Sequence, residues 1–367
     1  MRASEGKPFY PELESLRGIA ALAVLGEHAF LRFQGPELVR FLDGNGPWSV
    51  HPGWFADVIA TIVFPGAAAV SLFFILSGFV LGETLQRSAE QGRYQLFMLR
   101  RLCRILPALW ASVLVAAVIW NEFARPVSLA EIGRHLWLAE TWLNSPLWSL
   151  RVELVNSALL PLMWWLCGKL NAGGQVAVLL GLLGLSAHTF GVMEIGFSCA
   201  FWLGLMVRGL GHQLIGRLTG RSARGLLLVA VVILCLSREL ALLSGMHIGR
   251  LIAIFPSFYI IAFLTHVPDG WLRSLMQSAP ARYLGRISYS FYLFHYPALD
   301  LMSLGMVALA GAGYWEAHAV VGQVLLFMLA LPTTIVMASV SWRFIEKPGI
   351  SLGKIVTSRA ILREHPA

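Results

Sequence analysis

The chain is 367 residues long, 57% hydrophobic and 13% charged, with a mean hydropathy of +0.69 and a formal net charge of +8. A soluble domain of this size carries roughly twice that charged fraction, so the composition excludes a soluble globular chain and implies an all-α, polytopic membrane protein. The four cysteines (Cys103, Cys167, Cys199 and Cys235) lie in or beside apolar runs without CxxC or metal-like spacing, which points to packing thiols and no metal site.

At about 20 residues per crossing, about ten transmembrane helices are expected, near 16–33, 58–82, 105–123, 147–167, 175–192, 195–211, 225–244, 250–267, 286–309 and 319–343. Ten crossings put both termini on one side. Loops and ends on that side hold 21 Lys and Arg, against 5 on the other. This asymmetry places both termini in the cytoplasm and accounts for the positive charge without nucleic acid. The expected organisation is a single membrane domain over 1–348 and a short basic tail over 349–367. That leaves no room for a soluble catalytic domain, so any chemistry is expected inside the bundle. A cleaved signal peptide is not expected, because the first apolar run contains Glu27 and His28 and no A-x-A site follows.

In the first helix, "SLRGIAALAVLGEHAFLRF", Arg17 and His28 are eleven residues apart, which is three turns plus 20°. They share one face and stand roughly 16 Å apart along the axis, Arg17 at the cytoplasmic boundary and His28 past the midplane. Full charges at depth cost roughly 2.5–3.5 kcal/mol each on insertion scales. Two readings stand: Arg17 snorkels while His28 bonds a neighbouring backbone, or the two line a cavity. Glu27 points about 100° away, toward another helix, and Arg32 snorkels at the outer surface.

At the mouth of the third helix, "FMLRRLCRILPALW" places Arg100, Arg101 and Arg104. These either set topology and touch lipid phosphate, or Arg101 and Arg104, at i and i+3, grip one polyphosphate together. Such a ligand needs an arm to reach a buried histidine. The fourth helix opens "NSPLWSLRVELVNSALLP", with Ser149, Glu153 and Asn156 on one face. Glu153 is a hydrogen-bond anchor or, facing the same interior as His28, orients or protonates the imidazole; Arg151 takes an interfacial place. Helix nine, "LGRISYSFYLFHYP", repeats the stripe with Ser288, Tyr292 and His295, flanked by Tyr289 and Tyr296 as aromatic packing. Three polar stripes in lipid call for partners.

Together these segments resemble the acyltransferase-3 family of integral membrane acyltransferases, over about Tyr10 to Pro348. The resemblance rests on "LESLRGIAALAVLGEHAF" with its R-x10-H, "SLFFILSGFVL", "RRLCRILPALW" with R-x-x-R, "PLWSLRVE" with Trp148, Ser149 and Glu153, "YLGRISYSFYLFHYP", and "SWRFIEKP" with Arg343, Glu346 and Pro348. Three positions depart from the family pattern: Ser71 replaces an acidic residue, Arg151 a small one, and "LVNS" an aromatic run. The resemblance implies transfer of an acyl group, commonly acetyl from acetyl-CoA, to a hydroxyl of a carbohydrate or related natural product. On that basis His28, Glu153 and Arg17 are expected to be catalytic. Arg101, Arg104 and Arg100 are expected to hold the donor, and Trp148, Ser149, Ser288, Tyr292 and His295 to line the acceptor path.

Acyl-CoA is then a donor substrate, with no permanently bound cofactor. The other expected partners are a hydroxyl acceptor and the lipids of a bacterial inner membrane. Two alternatives stay open: acylation of a small natural product such as a macrolide, and a polysaccharide or lipid-linked sugar transporter. No inverted repeat is evident to favour the transporter.

Overall fold

A computed structural model describes residues 10–33, 54–89, 94–188, 193–244, 251–266 and 270–364. The first nine residues and most of the 34–57 loop, both used in the charge count, lie outside them. Among the described residues every regular element is helical. The main helices are α1 (Pro11–Phe30), α2 (Trp54–Val63), α3 (Gly66–Ala89), α4 (Tyr94–Phe123), α5 (Leu129–Leu136), α6 (Leu147–Lys169) and α7 (Ala172–His188). After these come α8 (Ser198–Met206), α9 (Gly220–Cys235), α10 (Ser237–Ser244), α11 (Ile254–Leu264), α12 (Ala279–Ala310), α13 (Ala319–Ser341) and α14 (Lys347–Glu364).

The ten expected segments all overlap helix, but 58–82, 195–211 and 225–244 are each divided between successive helices, and several helices run well past the apolar window. Helix α4 starts at Tyr94 and α12 at Ala279, and α13 passes through a π-helical turn, Trp342–Glu346, directly into α14. Hydropathy reports the lipid-facing part of a helix and is blind to its polar extension. The stretch expected as a basic tail is thus largely helical, and it packs on α4. Among the described residues, five stretches are long and apolar enough to cross a bilayer: Val58–Gln86, Tyr94–Phe123, Leu147–Lys169, Ala279–Ala310 and Ala319–Ser358.

Helix α1 lies at the centre, against α12, α3 and α13. Its crossing with α12 is a contact of bare backbones: a Cβ at Gly18 would sit 2.6 Å from the Leu284 carbonyl carbon, and one at Gly285 would sit 2.6 Å from that of Glu14. Ten residues further along each helix, His28 meets His295. The two helices therefore run parallel and stay in register for about 15 Å. Between α2 and α3 the chain breaks at Pro65, and the buried Glu27 carboxylate accepts from the Ala67 N–H at 3.0 Å, satisfying a first-turn donor of α3.

Candidate active site

His28 Nδ1 and His295 Nε2 are 2.9 Å apart, with ring planes inclined by 2° and centroids 5.2 Å apart. That N···N distance is too short for stacked rings, so the imidazoles lie edge to edge in one plane, joined by a hydrogen bond. His295 is fully buried and its Nδ1 lies 2.6 Å from the Tyr292 carbonyl oxygen, one turn back on α12. His28 keeps partial exposure, and Tyr296 presents an edge contact to its ring at 5.7 Å.

Toward the Arg17 end lie two small adjoining chambers of about 40 Å³ each, sharing Arg17, Ser77, Glu153 and Tyr289 on their walls. The first extends to Ser149, Ser288, Phe73 and Tyr292, and the second to Arg101 and Arg104. Glu153 accepts from the Arg101 guanidinium at 2.7 Å and from Ser77 Oγ at 3.0 Å. Arg104 stands 3.9 Å from Glu346, a buried carboxylate that also accepts from Ser290 Oγ at 2.8 Å. Arg101 is only 9% exposed in its side chain, and its Nε is buried with no hydrogen-bond partner among the described residues. Three guanidiniums beside two carboxylates leave a net positive enclosure that suits an oxyanion ligand. Tyr292 closes the far end, its hydroxyl 2.8 Å from Ser149 Oγ and its ring edge against Phe73.

On the other side of the histidine pair, Arg32 is ion-paired with fully buried Asp300, which also accepts from Trp120 Nε1 at 3.0 Å. The Arg32 guanidinium lies over the Tyr296 ring at 5.3 Å. Arg238 donates to Glu27 at 3.0 Å.

The structure thus places Arg17, Arg101, Arg104, Glu153, Ser149, Ser288 and Tyr292 on the walls of two adjoining chambers, with His295, paired to His28, one helical turn beyond Tyr292. Glu153 does not take the place expected for it beside His28. Its carboxylate is drawn to Arg101, a full charge, and the imidazole's partner is His295. Arg100 points away and donates to Thr357 Oγ1 on α14 at 2.8 Å. Trp148 packs on Phe74 and Phe197, and Asn156 accepts from Ser198 on α8 at 2.7 Å. Arg32 does not snorkel freely, and Glu27 does bind another helix through Arg238. Tyr289, read as packing, lines both chambers and donates to the Ile105 carbonyl at 2.7 Å.

Ser77, Glu346 and Asp300 were not singled out as site residues. Asp300 carried a usable signal, as a lone carboxylate in the apolar run "YPALDLM". Ser77 carried none that separates it from other helical serines.

An acyltransferase-domain family model matches residues 10–343. Among curated proteins the chain is similar to the peptidoglycan O-acetyltransferase OatA of Listeria monocytogenes (23% identical, over 93% of this chain and 56% of that protein). It is also similar to the acyltransferase MdmB of Streptomyces mycarofaciens (27%, over 93% and 92%) and to the peptidoglycan O-acetyltransferase YrhL of Bacillus subtilis, itself assigned only provisionally (24%, over 93% and 55%). The chain spans about half the length of the two peptidoglycan relatives. No solved structure matches it.

Proposed function

The chain belongs to the acyltransferase-3 family, and we propose that it transfers an acyl group, acetyl foremost, from cytoplasmic acyl-CoA to a hydroxyl of a carbohydrate. The observation that carries this reading is that the chamber lined by Arg17, Arg101 and Arg104 shares Arg17, Ser77, Glu153 and Tyr289 with a second chamber bounded by Tyr292, one helical turn from His295. The basic lining suits a polyphosphate carrying a thioester on a long flexible arm. Arg101, whose buried Nε lacks an acceptor, binds phosphate oxygen with Arg104. Arg17, Ser77 and Tyr289 line the way for the arm. In this reading Ser149, Ser288 and Tyr292 flank the donor's arm, so the acceptor approaches His28 from the Arg32 side.

His28 removes the acceptor's hydroxyl proton with the ring nitrogen that His295 leaves free. The acceptor oxygen bonds to the acyl carbon, the carbon–sulfur bond breaks, and His28 returns the proton to the departing thiolate. The acceptor is read as a glycan because two of the relatives carry peptidoglycan in their names. Ten crossings in a bacterial inner membrane, with both termini cytoplasmic, complete the proposal. The parallel course of α1 and α12 supports this, since first and ninth crossings run the same way.

The test is transfer of labelled acetyl from acetyl-CoA to oligosaccharide by the purified protein in nanodiscs. His28→Ala is expected to abolish transfer at unchanged abundance. Arg104→Gln, losing one charge-assisted contact, should raise the donor KM by about 10- to 100-fold. Absence of acyl-CoA binding, or glycan translocation without ester formation, overturns the proposal. Transfer only to small natural products would move the acceptor class and leave the donor half standing.

A further inference from the structure

We propose that His295 is the positioning residue of His28: it dictates which imidazole nitrogen of His28 holds the reactive lone pair. This rests on the reading of His28 as the base, and deepens it.

The assignment starts from an atom that cannot donate. The Tyr292 carbonyl, 2.6 Å from His295 Nδ1, can only accept, so His295 carries its proton on Nδ1. A neutral His295 then has its lone pair on Nε2, aimed at His28 Nδ1 across 2.9 Å. Two lone pairs cannot face each other at that distance, so His28 Nδ1 bears a proton and donates it. The lone pair of His28 is consequently on Nε2.

Neutrality of His295 follows from its surroundings. The ring is fully buried against Tyr292 and Tyr296, and among the described residues its polar contacts are His28 and the backbone carbonyls of Tyr292 and Phe291, which can only accept. A charged imidazolium in apolar surroundings needs a counter-ion. The nearby carboxylates are engaged elsewhere: Glu153 with Arg101 and Ser77, Glu27 with Arg238 and the Ala67 N–H, and Asp300 with Arg32 and Trp120.

Local sequence holds this geometry. Pro297 has no N–H to offer the Leu293 carbonyl, one turn back, and that carbonyl accepts instead from the buried Asn144 amide at 3.0 Å. The α6 approach is thereby pinned to α12 beside the histidine.

A general base usually has a third group to orient it, commonly a carboxylate. Here a second neutral imidazole does that work, so the resting pair adds no net charge to the membrane interior. When His28 Nε2 takes the hydroxyl proton, the Nδ1–H···Nε2 bond becomes charge-assisted and the cation is spread over two rings. Return of the Nε2 proton to the thiolate restores both tautomers.

Nitrogen-15 spectra of histidine-labelled protein in nanodiscs, assigned by His28→Gln, read the tautomers directly. The expectation is an N–H at Nδ1 in both His28 and His295. A wild-type His28 protonated at Nε2 overturns the proposal without reference to activity.

Kinetics supply a second arm. His295→Phe keeps the bulk and removes the acceptor, and should lower kcat about 100-fold with donor KM unchanged within about two-fold. His295→Gln, whose amide oxygen can accept the same bond, should recover to within about ten-fold of wild type. Full kcat in His295→Phe, or no rescue by glutamine in a folded protein, counts against it. If instead His28→Ala retains transfer, the base assignment fails while the tautomer result stands or falls on its own.

Discussion

Arg101 is only partly satisfied by the residues around it. Its guanidinium is tied to Glu153, while its buried Nε has no acceptor among the described residues. Arg101→Lys replaces a planar fork with a point charge. It is expected to raise the donor KM about ten-fold or more in a saturation series, with kcat little changed. Glu153→Gln leaves a buried cation uncompensated and should cost about 3–5 kcal/mol of stability, visible as a lower thermal midpoint. A kcat loss in Glu153→Gln at unchanged midpoint and KM would restore the direct role beside His28 that the sequence suggested. The Arg17–His28 spacing was readable because helical period is a one-dimensional property. The His28–His295 bond was not, because its members lie 267 residues apart and meet only through the rotation of two helices about each other.

At the scale of elements, the α1–α12 crossing depends on two residues without side chains. Gly285→Ala puts a Cβ 2.6 Å from the Glu14 carbonyl carbon, so backbones must separate. Overpacking of this kind costs about 1–3 kcal/mol, and the His28–His295 contact on the same helix pair should weaken with it. Both midpoint and transfer rate are expected to fall. Gly305→Ala, on the same helix with nothing within 4 Å of its Cβ, should change neither.

The short helix α5 offers a pH test. Ser128 and Glu131 form a reciprocal cap, and the backbone N–H and hydroxyl of Ser128, with Arg125 beside them, pull the Glu131 carboxyl down to about 2. A depressed carboxyl stabilises the folded form fully above its ordinary value near 4.5, and that contribution disappears as pH falls through about 2. Hydrogen exchange over 129–136, corrected for intrinsic rates, should stay slow at pH 5 and accelerate at pH 2. Glu131→Gln should be fast at both. Element ends were the least legible part of the fold: α4 and α12 continue as polar helix where hydropathy falls silent.

For the whole molecule, the parity of crossings is the quantity to check. A green fluorescent protein fused after Ala367 is expected to fluoresce, and alkaline phosphatase at the same place to stay inactive. The reverse pattern would break the ten-crossing proposal. Class and helix positions were legible because lipid imposes one coarse rule on every span. The arginine chamber was legible only as separate motifs, since nothing in the chain's order says that Arg17, Arg101 and Glu153 share a wall.

The length of chain between the two histidines has a consequence for synthesis. His28 leaves the ribosome with the first helix, and its partner follows 267 residues later, after most of the protein has been made. A nascent chain, or one cut short before α12, already owns its arginines and its first imidazole, yet nothing sets that imidazole's proton. The pair is completed only when α12 packs beside α1.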